Sequence, residues 1–300
     1  MKTIVAKTTQ ELGEALSASR SNNTAIGLVP TMGALHQGHL SLIERSIGDN
    51  PVTVVSIFVN PIQFNNKEDL QKYPRTLEAD LALLDTLELP DSHKLIVFAP
   101  SEQEMYPEPV DTVYHFGAIE EVMEGPRRPG HFSGVAVVVR RLFDLVQPRK
   151  AYFGEKDYQQ IAIIRELLRQ IKYPIELVAC PIVRADDGLA LSSRNKRLSP
   201  EARAIAPAIN ATLSQAAEMA LCEDCDEVKQ WVADTLNSWH LVNQSDNMPN
   251  NLCFEVEYVE IVDGTTLQPL LSIPENPALP PVICIAVWLD GVRLIDMVKI

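Results

Sequence analysis

Apolar positions along this chain fall into short unbroken runs and longer periodic stretches, and the two alternate. Residues 25–29, 52–58, 95–98 and 175–179 are largely apolar runs of strand length, and 151–153 is a shorter one that reads as a strand tip. Between them, Leu40, Ile43 and Ile47 keep a spacing near that of a helix. So do residues 77–87, then Val135, Val138, Leu142 and Val146, and then Ile161, Ile164, Leu168 and Ile171. Such spacing lines one face of a helix. An amphipathic helix at 9–19 precedes the first run. Unbroken apolar runs belong to strands covered on both faces, as in parallel sheets. The alternation predicts an α/β domain: a Rossmann-like, doubly wound, mainly parallel sheet. Ligands of such sheets sit at the carboxyl ends of the strands.

After Val183 the rhythm changes. Ser199, Pro200 and Glu201 form an N-cap, a first-position proline and a first-turn acid. They predict one long helix to about Ala220, followed by a helix at 228–239 and a loop at 248–251. Residues 254–262, 282–289 and 292–298 read as strands, the last two joined by an Asp290-Gly291 hairpin turn. The expectation is two domains: 1–183, Rossmann-like, and 184–300, a smaller α+β C-terminal domain. No internal repeat is evident, and the one compositionally biased segment is the proline-rich stretch 274–281.

Composition narrows the class. Hydrophobic residues make up 46% of the chain, enough for a core, and no apolar run reaches membrane-spanning length. Residues 1–6 lead into a polar segment at 7–14, unlike a signal peptide. A cytoplasmic protein with no membrane association is expected. The net charge of −14, from 40 acidic and 26 basic residues, argues against a broad nucleic-acid surface. It leaves room for a local basic pocket. Cys222 and Cys225 form a lone C-x-x-C with no second pair for zinc. Reduced thiols are the expectation.

The strongest chemical signal is Pro30-Thr31-Met32-Gly33-Ala34-Leu35-His36-Gln37-Gly38-His39-Leu40, which follows the run at 25–29 and opens a helix. His36 and His39 are three apart and face the same side of a first helical turn. Free amides of that turn and the helix dipole favour an anion there. Three further strings fall at expected strand ends or element starts. Asn60 and Gln63 leave a strand across Pro61, either as turn residues or as neutral amides suited to hydroxyls and a carboxylate. Gly154-Glu155-Lys156-Asp157 opens a helix that places Lys156 and Gln160 on one face. Ser192, Ser193 and Arg194 supply two hydroxyls and a guanidinium for a polyphosphate. Asp80, on a helix, and the Arg127-Arg128-Pro129-Gly130-His131-Phe132 loop are equally well read as solvated surface.

The P-T-M-G-A-L-H-x-G-H string resembles the adenylate-forming H-x-G-H nucleotidyltransferases, and its P-T-M-G version resembles the pantoate–β-alanine ligases, or pantothenate synthetases. N-P-I-Q-F, Y-P-R-T-x-x-x-D, R-P-G-H-F, G-E-K-D-Y-Q-Q and the serine loop follow in the family's order, so the resemblance covers the whole chain. It implies ATP-dependent ligation of pantoate and β-alanine to pantothenate through a pantoyl adenylate, releasing AMP and pyrophosphate. His36, His39, Lys156 and Arg194 are then the catalytic residues. ATP is held by Met32, Gly33, Ala34, Leu35, Gln37, Gly38, Gly154, Glu155, Asp157, the backbone of Val183, Leu191, Ser192 and Ser193 as well. Asn60, Gln63 and Gln160 take pantoate, with Arg128 and His131 near the second substrate and the subunit contact. Asp80 takes the Mg2+ that comes with ATP. The resemblance further implies a homodimer and no tightly bound organic cofactor. Leu191 stands where the family usually has Met, a volume-conserving change, and Met297 where it usually has Asn. Two rival readings are a nucleotidyltransferase that stops at nucleotide transfer, which would lack N-P-I-Q-F, and a non-catalytic nucleotide-binding module.

Overall fold

The structure, a computed structural model, describes residues 3–239 and 252–300. The loop expected at 248–251 lies outside the described residues. The chain forms two compact units. The first runs to Glu120 and takes in Gly125–Gly154 and Gln160–Pro181; the second takes Glu121–Glu124, Glu155–Gln159 and the chain from Ile182 on.

Up to Cys180 the elements are β1 (Ile4–Ala6), α1 (Thr9–Ser21), β2 (Ile26–Thr31), α2 (Gln37–Asp49), β3 (Val52–Ile57), α3 (Lys67–Lys72) and α4 (Leu77–Leu84). There follow β4 (Lys94–Phe98), α5 (Glu102–Met105), α6 (Glu124–Arg127), α7 (His131–Val146), β5 (Lys150–Gly154), α8 (Tyr158–Ile171) and β6 (Glu176–Cys180). The six strands pair in the order β1-β4-β3-β2-β5-β6, every pair parallel. From β2 the chain winds outward through β3 and β4, then returns to β5 and winds the other way through β6. The winding reverses between β2 and β5, and the crevice of a doubly wound sheet opens at that point. Its rims are the strand ends Thr31 and Gly154.

Neighbouring strand residues enter opposite cores, which explains the unbroken apolar runs. Leu28, Val54 and Ile96 pack with Leu12 and Leu16 of α1, Val135 and Phe143 of α7 and Ile163 of α8. Val29, Val55 and Val97 pack on the other face with Leu40 and Ile43 of α2 and Leu84 of α4. Residues 151–153 are more than a strand tip: β5 is a five-residue strand paired on both sides, and Tyr152 is fully buried. β1 had no signal in the sequence, since three residues carry no period and the strand pairs only at the sheet edge.

In the second unit α9 (Pro200–Ile205), α10 (Ala208–Met219) and α11 (Cys225–Asn237) are followed by β7 (Phe254–Val262), β8 (Val282–Leu289) and β9 (Val292–Lys299). The three strands form an antiparallel sheet in the order β7-β8-β9. Leu213, Val228, Val232 and Leu236 from the helices share a core with Ile261, Ile283 and Val287 from the sheet. Ser199 caps as expected, its hydroxyl accepting from Ala202 N at 3.2 Å. The single long helix is divided, however. Pro207 has no N–H to continue the first segment and its ring crowds the carbonyl four residues back, so α9 ends at Ile205 and Pro207 stands at the N-cap of α10. Asp290 (φ 54°) and Gly291 (φ 68°) both turn left-handed, the hairpin geometry that matches strand twist.

Candidate active site

The turn between β2 and α2 is built from strained backbone and buried acceptors. Gly33 (φ 79°) and Ala34 (φ 49°) both lie in the left-handed region. For Ala34 this has a steric cost that surrounding contacts must offset. Thr31 donates its hydroxyl to Ser56 O at 2.6 Å and accepts from Gly33 N at 3.2 Å. Asp80, from α4, accepts from Ala34 N on Oδ2 at 3.0 Å and from Leu35 N on Oδ1 at 2.8 Å. Its Oδ1 also accepts the Thr76 hydroxyl at 3.3 Å.

His36 is the N-cap of α2. Its Nδ1 accepts from Gly38 N at 3.1 Å, and His39 Nδ1 accepts from His36 N at 3.3 Å. The ring centroids are 4.1 Å apart and tilted by 42°. An imidazole nitrogen that accepts carries no proton, so both neutral rings carry theirs on Nε2. The amides of Gly33, Ala34, Leu35, His36 and Gly38 therefore meet protein acceptors, contrary to the expectation of free amides at this turn. The donors the arrangement orients are the two Nε2–H groups, beside the positive end of α2.

The second cluster follows β3. Asn60 is 1% exposed and caps the one-turn 3₁₀ helix Pro61–Gln63. Its Nδ2 donates to Gln63 Oε1 at 3.2 Å and to Gly134 O at 3.0 Å, while its Oδ1 accepts from the Tyr106 hydroxyl at 2.9 Å. Every hydrogen on the Asn60 amide is engaged, so Asn60 holds Gln63 rather than offering itself to a ligand, as the sequence had implied. Burial pushes the Tyr106 phenol well above its ordinary range, which keeps it a donor. The Gln63 side chain donates from Nε2 to Met32 Sδ at 2.9 Å, and its backbone carbonyl lies 2.8 Å from His131 Nδ1. His131 opens α7 after Gly130 and is buried. One turn on, Gly134 admits the backbone of the 3₁₀ turn: a Cβ there would stand 2.6 Å from Gln63 Cα. Met32, Asn60, Gln63 and His131 are thus brought together. Arg128 is half-buried, with its backbone N–H on Gly125 O at 3.2 Å.

Past Gly154 the chain makes a 3₁₀ turn, Glu155–Asp157, before α8 begins. Lys156 therefore precedes the helix that carries Gln160, and the two do not share an α-helical face as expected. Both are half-buried and Asp157 is exposed. Glu155 pairs with Lys299 at 2.6 Å.

In the second unit Leu191 N donates to Val183 O at 3.0 Å, closing a hairpin around Gly188 (φ 95°). Arg184 locks it to β9, reaching both oxygens of buried Asp296 at 2.6 and 2.9 Å. Ser192 caps the following 3₁₀ turn, Ser193–Arg197, its hydroxyl accepting from Arg194 N at 3.3 Å. Ser193 is buried and Arg194 half-buried.

The metal expectation does not fit. Asp80 is 2% exposed, and its oxygens point at two amides and a hydroxyl. Among the described residues no three His, Cys, Asp or Glu side chains gather as metal ligands. Tyr106, Thr76, Gly134 and Arg184–Asp296 escaped sequence reasoning. Except for Thr76, four residues from Asp80, their partners are distant in the chain, and residue type alone marks none of them.

A family model described as pantoate-beta-alanine ligase matches residues 4–299. The pantothenate synthetase of Bacteroides thetaiotaomicron is 49% identical over 295 residues, covering 98% of each chain. The crystal structure of pantothenate synthetase from Thermus thermophilus superimposes with a TM-score of 0.85 at 41% identity, covering 99% of both chains. That of the Francisella tularensis pantoate-beta-alanine ligase, complexed with beta-gamma ATP and beta-alanine, gives 0.77 at 33% identity over 99% of this chain and 97% of that one.

Proposed function

The chain belongs to the pantoate-beta-alanine ligase family, and from that membership we propose how its residues divide the work. The enzyme joins pantoate to β-alanine with ATP, giving pantothenate. The pantoate carboxylate attacks the α-phosphorus and pyrophosphate leaves; the β-alanine amine then attacks the acyl carbon and AMP leaves. Neither step asks for a covalent bond to the protein. The enzyme must align the carboxylate and neutralise charge that grows on phosphate oxygens.

His36 and His39 do this at the start of α2 by donating from Nε2. The observation that carries their role is the pair of Nδ1 acceptors, which fix both tautomers. Lys156, Arg194 and the hydroxyls of Ser192 and Ser193 are assigned to the phosphates, and Val183 and Leu191 to the adenine side. Gln63, held by Asn60, and Gln160 hold pantoate, with Arg128 and His131 nearby. ATP is taken with Mg2+, whose shell phosphates and water can largely complete; no step is routed through a protein ligand to it. Small molecules are the only substrates proposed. A cytoplasmic homodimer is proposed on the family resemblance. Among the described residues no helix is long and apolar enough to cross a membrane.

Single-turnover pyrophosphate release tests the assignment. His39→Ala is expected to slow it on the order of 10²-fold or more, as loss of a transition-state donor does. A wild-type rate in that variant would remove His39 from the first half-reaction.

A further inference from the structure

Three buried or half-buried groups beyond the ligand-facing residues invite a role. The orphaned Asn50 Oδ1 and His93 Nε2 lie toward the amino ends of the strands, away from the crevice. The Arg293–Glu124–Glu257 cluster is internally satisfied, with contacts of 2.6 to 2.8 Å. The third group, the Asp80 carboxylate, bears directly on the turn that carries the histidines.

Asp80 sits 45 residues from Leu35, yet its two oxygens meet two consecutive amides of the turn. Those amides flank the most constrained backbone in the site. Gly33 is left-handed and leaves no room beside the carboxylate, since a Cβ would stand 3.0 Å from Asp80 Oδ2. Ala34 is left-handed in spite of its Cβ. A carboxylate accepting from successive amides of such a turn acts as a clamp, because an anion there satisfies both donors at once. Thr76 orients the carboxylate, donating to Oδ1 from the N-cap position of the helix that carries it. With 2% exposure, little of the side chain is left for a cation in solvent.

We propose that Asp80 is a positioning residue for adenylate formation, holding Ala34 left-handed so that His36 and His39 start α2 in register, and that it is not a ligand of the Mg2+ on ATP. This rests on the reading of the turn as the ATP site. If His39→Ala leaves pyrophosphate release unchanged, that reading fails; if His39→Ala is slow but Asp80→Asn is not, only the present inference fails.

The clamp and metal roles predict opposite signs in ligand-free protein. A buried carboxylate kept for a cation is uncompensated without it, so neutralising it raises the thermal midpoint. A clamp already has its partners, and Asp80→Asn replaces one acceptor with an N–H that faces an amide. The midpoint of Asp80→Asn in EDTA is therefore expected to fall by several degrees; a rise overturns the proposal. Single-turnover pyrophosphate release should slow on the order of 10²-fold from misplaced groups. The Mg2+ concentration for half-maximal rate should stay within about twofold of wild type, since clamp geometry leaves cation affinity untouched. A tenfold rise in that concentration, with the rate recovered at high Mg2+, overturns it.

Ala34→Gly added to Asp80→Asn gives the decisive comparison, because glycine adopts the left-handed region without the Cβ cost. The pair should recover stability and rate over Asp80→Asn, or recover folding if Asp80→Asn alone does not fold. A pair no better than Asp80→Asn overturns the clamp.

Discussion

His36 caps α2 through Nδ1 and presents a proton on Nε2, and substitutions can separate these two tasks. Asparagine is among the preferred N-caps, so His36→Asn should keep most of the capping, whereas His36→Ala should cost about 1 kcal/mol of stability. Both lack the Nε2 donor. Both are expected to slow pyrophosphate release on the order of 10²-fold, read by single-turnover assay beside thermal unfolding. A wild-type rate in His36→Asn would limit His36 to the cap. Tyr106 works at one remove. Tyr106→Phe leaves Asn60 Oδ1 with only the Ile62 N–H at 3.4 Å. That loss should cost about 1–3 kcal/mol of stability. It should also free the Gln63 amide to rotate. Steady-state kinetics should show a several-fold higher KM for pantoate with KM for ATP unchanged; equal effects on both would mean a general loss of structure. The sequence made the two histidines and Gln63 visible because they stand in strings at strand ends. It hid the Tyr106 contact and the amide contacts of Asp80, because each meets its partner across 46 residues and a buried polar contact leaves no periodic trace.

Elements were legible wherever packing imposes a period, and less so where backbone chemistry decides. The runs that became β2, β3 and β4 were largely apolar because both faces of the sheet are covered. α7 was traced from Val135 by its spacing, but it starts at His131, since Gly130 (φ 79°) supplies the left-handed entry. The division of the long helix at Pro207 was readable from proline chemistry, but the N-cap signal at Ser199 masked it. The 3₁₀ turn at Glu155–Asp157 had no signature, because one turn of either helix looks the same in sequence. α7 also offers a test in which two effects compete. Gly134→Ala should favour the helix by about 1 kcal/mol. Its Cβ, however, would overlap the backbone of Gln63 and Ile62, at 2.6 Å and 2.7 Å. Backbone cannot swing aside as a side chain can, and overpacking typically costs about 1–3 kcal/mol. The variant is expected to be less stable than wild type by chemical denaturation and to use pantoate less well. A gain in stability would mean that α7 is free to move off the 3₁₀ turn.

At the scale of the whole molecule, the question is where the activated pantoyl group goes. The chain has 40 acidic against 26 basic residues, which disfavours a long contact with RNA. Net charge alone is weak evidence, since a local basic patch survives an acidic total. The architecture says more: among the described residues the second unit is three helices against a three-stranded antiparallel sheet, with no long helical module of the kind that would reach along a nucleic acid. A small amine is the fitting acceptor, and family membership identifies it as β-alanine. Nor is an acyl-enzyme required, because an acyl adenylate is already activated. Two of the buried thiols are poor nucleophiles for one. Cys180 is buried at the end of β6, and burial pushes the Cys284 thiol up to about 12, leaving it protonated near neutrality. Incubating the enzyme with ATP and radiolabelled pantoate, without β-alanine, should therefore give a tightly held small molecule that denaturation releases as pantoyl adenylate. Adding β-alanine before denaturation should convert that label to pantothenate in a single turnover. Label that stays on denatured protein would establish a covalent intermediate. Label that passes to added tRNA would make the acceptor a nucleic acid, and either result would overturn the two-step scheme without a protein-bound acyl group.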